Sequence, residues 1–301
     1  MWPLRIRLCW FDLAMPKPGM PGCHHILQLP CLWAINPFTI QAWEGVVRKI
    51  RGQRKKDHPL VLTNRDKEIL LLAGLCRYVS AEQVAREFFS SDSRARRRIR
   101  QLYDAGYINV TLTSSTAPNL LSLSKDGLVH LKDTLPAMAV RMQCAGSIRL
   151  AGVQHHLALV DVRLYVAALV GSKGWSLLRW ENGAGEMARK LGLGQIRLRP
   201  DSLFEIETSR DVLYCGVEVD CGGETMVVLD SKLERYQQVL GDVGLLDELW
   251  IVAISGKERR GTIERLVRQA GLEPWTRVLN HGLLLARPVV SVVAGMAEGG
   301  V

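Results

Sequence analysis

From Thr63 onward the apolar positions take on a helical rhythm. Ile69, Leu72, Ala73 and Cys76 recur three and four residues apart, behind a Thr63/Asp66 pair with the spacing of a capping signal. The signal repeats at Ser80 and Gln83, and Ala81, Val84, Ala85 and Phe88 again fall at helical spacing. A third helix is predicted from a Ser91 or Ser93 cap to Gly106, where the missing Cβ suits a stop. The period then changes to two. Ile108, Val110 and Leu112 alternate with polar residues, a Ser/Thr/Pro turn follows from Ser114 to Pro118, and Leu121 and Leu123 mark a second strand. A short helix over "SKDGLVHL" closes the unit. Three helices and a two-stranded hairpin are the order of a winged helix-turn-helix, expected over residues 59–135.

Beyond Val153 helices and strands alternate. "HHLALVDVRLYVAALV" predicts a helix, "WSLLRWE", "QIRLRPDSLFEIE" and "DVLYCGVEVD" strands, and "ETMVVLDSKLERYQQVL" an amphipathic helix. "DELWIVAIS" then reads as a strand, "RGTIERLVRQAG" as a helix and "GLLLARP" as a last short strand. The expected fold class is α+β: a winged helix followed by a small α/β domain with a mixed sheet over residues 150–290.

Residues 1–58 carry no such period and read as a poorly structured extension ending in the basic linker "KIRGQRKKD". The apolar stretch from Ile26 to Val47 is broken by Pro30 and Pro37, so it predicts neither a membrane span nor a signal peptide. Cys23, His24, His25 and Cys31 cluster there at a spacing that fits no common zinc pattern. The seven cysteines are scattered without a CxxC pair, which argues against a disulfide framework and makes a reducing cytoplasm the expected location.

Charge sharpens the picture. Lys and Arg outnumber Asp and Glu by 39 to 30, for a net charge of +9, which favours a polyanionic partner. Five arginines fall between Arg94 and Arg100. At about 100° per residue, Ala95, Ile99, Leu102 and Tyr103 share one face of the third helix, with Arg97 opposite, Arg94, Arg100 and Gln101 beside it, and Arg96 and Arg98 on the flanks. A guanidinium face on the third helix suits phosphate contact and guanine readout of double-stranded DNA, so Arg94, Arg96, Arg97, Arg98, Arg100 and Gln101 are the candidate DNA contacts.

In the second half the chemistry sits in "RPD" and "EVD". Asp201 precedes a hairpin whose second strand delivers Glu218, so both carboxylates are expected on adjacent strands, with Asp220 on the same face as Glu218. Two carboxylates are a minimal site for Mg²⁺ or Mn²⁺, which keeps its waters and takes substrate phosphate for the rest of its shell. Solvated acids at strand ends are the ordinary alternative.

The phrases "LTNRDKEILLLAGLCRYVSAEQVAREFF", "SRARRRIRQLYDAGYI", "HHLALVDVRL", "LRPDSLFEI", "VEVDCGGETMVVLDSKLERY" and "RRGTIERLV" resemble, in that order, the replication-relaxation family of plasmids and integrative elements. The family's C-terminal part is similar to PD-(D/E)XK nucleases and is restriction-endonuclease-like. That resemblance implies Asp201 as the PD aspartate, Glu218 as the second acid and both as metal ligands, with Asp220 standing where the catalytic lysine is expected. Lys232, on the next helix, is then either a displaced catalytic lysine or a solvated helix residue. His155, His156 and Glu181 are secondary candidates at the rim. Implied roles are DNA binding in plasmid replication, relaxation or transfer, with a relaxase or replication initiator as partner. A metal-dependent endonuclease and a non-enzymatic transcriptional regulator, whose second domain makes a dimer or senses a ligand, are the alternatives.

Overall fold

The computed structural model describes residues 48–49, 60–112, 119–135, 142, 144, 152–183, 185–241 and 244–285. The 114–118 turn, the Cys23–Cys31 cluster and most of the extension and linker lie outside the described residues. Both capping boxes form. Thr63 and Asp66 close the start of α1 (Asn64–Cys76), and Ser80 and Gln83 close that of α2 (Ala81–Phe88). Helix α3 spans Asp92–Asp104, but its N-cap Ser91 makes no capping bond; the Ser91 Oγ lies 3.4 Å from that of Ser93 instead.

The hairpin is β3 (Ile108–Leu112) with β4 (Leu120–Leu123), antiparallel, followed by α4 (Lys125–Thr134). Two short strands that the pattern does not announce complete this sheet: β1 (Arg48–Lys49) pairs with β3, and β2 (Val79–Ser80) with β4. Lys49, the first residue of the basic linker, thus lies in β1. Gly127, in the first turn of α4, is there for closeness, since a Cβ would lie 2.2 Å from the Tyr107 carbonyl oxygen.

Helix α5 (Val153–Ser172) is long and apolar enough to cross a membrane, yet its sides are spent on packing. Val160 and Leu164 join the first core with Ile69, Leu102, Ile108 and Leu123. Ala158, Val162 and Val166 cover one face of a five-stranded sheet, against Phe204, Val217 and Trp250.

That sheet runs β5 (Ser176–Asn182), β6 (Ser202–Glu207), β7 (Val212–Asp220), β8 (Glu248–Ala253) and β9 (Thr276–Asn280) in spatial order. The first three are antiparallel and the last two are added in parallel. A five-residue helix α6 (Glu186–Lys190) follows β5, and α7 (Met226–Gln237) and α8 (Lys257–Gln269) follow β7 and β8. These helices cover the other face through Met187, Leu229, Leu233, Tyr236, Ile263 and Val267. Burial on both faces is why β8 reads as the unbroken apolar run "LWIVA". The architecture is α+β with a mixed sheet.

Two expectations are corrected. The strand predicted over "QIRLRPDSLFEIE" begins only at Ser202; residues 191–197 instead form successive tight turns, anchored by the fully buried Leu193 and nearly buried Leu198. The last strand is Thr276–Asn280, and "HGLLL" of the predicted strand region is helix α9 (His281–Leu285). Val278 supplies the β-branched residue a strand favours, and the Gly-Leu run does not.

Candidate functional site

The acidic site forms at one end of the five-stranded sheet. Ser202 pairs with Val217, so Asp201, one residue earlier, stands across from Glu218. Cys215, Val217 and Val219 face α5, which turns Glu218 and Asp220 to the opposite face, under α7 and α8. The three carboxylates meet very different surroundings.

Glu218 is buried, and both its oxygens are engaged. The Tyr236 hydroxyl donates to Oε1 at 2.7 Å and the Lys232 ammonium to Oε2 at 3.0 Å. Both donors lie on α7, four residues apart, the spacing that puts two side chains on one helix face. Burial first, and then the Asp201 charge, push Glu218 up to about 8, against the opposing pull of Lys232 and Tyr236. Lys232 also pairs with Glu224 at 2.9 Å. Burial disfavours its charge, but Glu218, Glu224 and Asp201 together hold its pKa above the usual lysine range. The lysine whose reach was open therefore arrives at the site.

Asp201 is held through one oxygen. Its Oδ2 accepts from the Val219 backbone N–H at 2.8 Å and lies 2.9 Å from the His155 Nε2 of α5. Burial opposes the ionised form, yet these bonds and the His155 charge leave Asp201 below the ordinary carboxylate range. His155 in turn is raised, chiefly by its bond to Asp201. The neighbouring His156 faces away; its Nε2 is 3.0 Å from the Tyr78 carbonyl and burial lowers its pKa.

Asp220 is drawn off to a different partner. Arg259 of α8 grips it with two bonds of 2.7 and 2.8 Å, and its guanidinium also donates to the Glu224 carbonyl. The residue standing at the expected lysine position is thus a neutralised acid that ties α8 to β7. Glu181 serves as a cap: its Oε2 accepts from the Met187 N–H at 2.7 Å, and Gly185 leaves the room, since a Cβ there would lie 2.3 Å from that oxygen. No three His, Cys, Asp or Glu side chains gather into a metal cluster among the described residues.

On α3 the six candidate residues divide. Arg94, Arg96 and Arg97 are exposed, and among the described residues they make only a 3.4 Å bond from Arg94 to Ser90. Arg98 turns inward. Its Nε and Nη2 bind the two oxygens of the fully buried Asp66 at 2.8 and 2.5 Å, and Nη2 also donates to the Val61 carbonyl. Gln101 accepts from Arg98 at 2.9 Å, and Arg100 pairs with Asp104 at 2.9 Å.

Pattern reasoning passed over Tyr236 and Arg259. The first was legible, because "KLERY" places Tyr236 four residues after Lys232; the second was not, since 39 residues separate Arg259 from Asp220. A third tie was equally silent. The buried Asp161 of α5 accepts from Gln83 at 3.0 Å, pairs with Arg86 and lies 2.9 Å from His281, joining α2, α5 and α9.

Among solved structures, the restriction endonuclease FokI matches at 14% identity and a TM-score of 0.32, covering 77% of this chain and 49% of that one. The chain therefore spans about half the length of that enzyme. No curated protein sequence matches. The profile of the replication-relaxation family matches residues 74–245, more than half of the chain, over both the helical unit and the acidic sheet end. The chain belongs to the replication-relaxation family.

Proposed function

We propose that this protein binds double-stranded DNA in the cytoplasm and acts in the replication or relaxation of a mobile genetic element. One observation carries the reading. Arg94, Arg96 and Arg97 stand exposed, with no acidic partner among the described residues, on the third helix of a unit with the helix and hairpin order of a winged helix. Their neighbours Arg98 and Arg100 are held by carboxylates of the protein itself. A solvated helix surface normally mixes signs; an unneutralised one attracts phosphates and releases counterions on contact. The helix N-terminus adds its partial positive charge to the same face.

A second reading, metal-dependent phosphodiester cleavage, is favoured by the facing of Asp201 and Glu218. The residues fit a divalent cation as a two-carboxylate site. Asp201 Oδ1 accepts no hydrogen bond among the described residues, and a buried carboxyl driven towards protonation gains from a nearby cation. Asp201 through Oδ1 and Glu218 would hold the ion, whose chemistry when bound is to acidify water and neutralise developing phosphate charge. The chain's own part is different: Lys232 keeps a positive charge at the site, Tyr236 fixes the Glu218 rotamer, and His155 with the Val219 N–H orients Asp201. A relaxase or initiator and a second copy of this chain are the partners expected for a protein of this kind.

The test uses supercoiled and linear plasmid from the host element. Binding is followed across a salt series, and cleavage with and without Mg²⁺ or Mn²⁺, for the natural protein, Asp201→Ala and a triple Arg94, Arg96, Arg97→Ala variant. Salt-sensitive binding lost in the triple variant supports the first reading, and metal-dependent nicking lost in Asp201→Ala supports the second. Undiminished binding by the triple variant overturns the role of the arginine face.

A further inference from the structure

The turns between β5 and β6 carry charge that neither reading uses. Leu193 and Leu198 are buried, with the Leu198 N–H bonded to the Leu193 carbonyl at 3.0 Å, and together they peg the segment to the core. Between and after these pegs Arg197 and Arg199 stand exposed, and no ion pair or hydrogen bond neutralises either guanidinium among the described residues. Arg197 also has φ of 55°, one of two non-glycine residues in the left-handed region among the described residues. A side chain there costs on the order of 1 kcal/mol that glycine would not. A strained arginine kept on a rigid, pegged turn is a pointer to use rather than to stability.

Its place supplies the use. Arg199 lies two residues before Asp201 and Arg197 four, so their Cα atoms are at most about 7 and about 14 Å from it. Arg199 precedes Pro200, which favours an extended backbone, and residues two apart in extended chain project to the same side. We infer that this turn is a second contact for duplex DNA, in which Arg197 and Arg199 bind backbone phosphates beside the Asp201 end of the sheet. The inference rests on the DNA-binding reading above and adds a separate surface to it. It adds unpaired positive charge beside the acidic sheet end, where Lys232, Arg259 and His155 are already committed to Glu218, Asp220 and Asp201.

The experiment is fluorescence anisotropy of a labelled DNA duplex against the full chain across a salt series, with single-stranded RNA as competitor, alongside thermal unfolding. The variants are Arg197→Gly, Arg199→Gln and, as a reference on α3, Arg97→Ala. Each lost phosphate contact lowers the salt slope by roughly 0.9. Arg197→Gly is expected to lose that much while its Tm stays level or rises, because glycine relieves the left-handed backbone; a merely structural arginine would not separate the two readouts. Arg199→Gln is expected to lose the same slope with an unchanged Tm. If both turn variants bind with the natural slope while Arg97→Ala weakens binding, the turn is no contact and the inference fails alone. If the natural protein does not bind duplex at all, the DNA-binding reading falls and the inference with it. Preference for RNA over duplex would overturn the assigned partner.

Discussion

Arg98→Ala separates fold from function on a single helix. In sequence Arg98 belongs to the arginine cluster, but the structure makes it the counter-ion of Asp66, a carboxylate with no exposed surface. Removing one partner of a buried pair costs about 3–5 kcal/mol, mostly from the charge left behind. Here Asp66 keeps the Thr63 N–H at 2.7 Å and the Thr63 hydroxyl at 2.6 Å, and the Arg98 side chain is one-fifth exposed. The expected loss is therefore at the lower end, about 3 kcal/mol. At roughly 2–4 °C per kcal/mol for a chain of this size, Tm falls by about 6–12 °C. Urea unfolding should shift its midpoint with an unchanged m-value, and Asp66→Ala with Arg98→Ala in a double-mutant cycle should show coupling well above the ~0.5 kcal/mol of independent sites. Arg97→Ala, at the adjacent position in the same cluster, is expected to stay within about 0.5 kcal/mol of the natural protein while weakening DNA binding. The reasoning is refuted if Arg98→Ala leaves Tm in place and lowers DNA affinity as Arg97→Ala does.

Other outcomes follow from the same geometry. Asp161→Asn, which strips the charge from the tie between Gln83, Arg86 and His281, should lower stability by about 3 kcal/mol in denaturant unfolding. Gly127→Ala drives a Cβ into the Tyr107 carbonyl, a rigid backbone atom, and should cost about 2 kcal/mol or more by thermal melting. Stability should also fall as pH rises. Glu218, at about 8 in the fold against 4.5 ordinarily, and His155, raised above 6.5, both bind protons that the unfolded chain has released. The fold thus loses its advantage as pH climbs from about 5 through these folded values, at up to roughly 1.4 kcal/mol per unit per group. Glu218→Gln should flatten that profile in melts across pH 5 to 8; an equally steep profile would mean that Glu218 is ionised throughout.

Much of this protein was legible because local rules agree with the fold. The two capping boxes, the alternation through Ile108 and Val110, and the apolar run of β8 each depend on residues within a few positions of one another, and each forms where the pattern puts it. The facing of Asp201 and Glu218 was legible for a related reason, since a short hairpin leaves little freedom in register. What only the tertiary structure decided is how charges find partners across long separations. Helical periodicity placed Arg98 on a flank of α3 but had no access to Asp66, 32 residues earlier; nor could spacing show that Arg259 would neutralise Asp220, or that His155 would reach Asp201. Periodicity reports which way a side chain leaves its own helix or strand. Whether it then meets water, a counter-ion or a substrate is fixed by packing the elements together, and that is where the arginine cluster divides into Arg98, which ties the fold together, and Arg94, Arg96 and Arg97, which are left exposed.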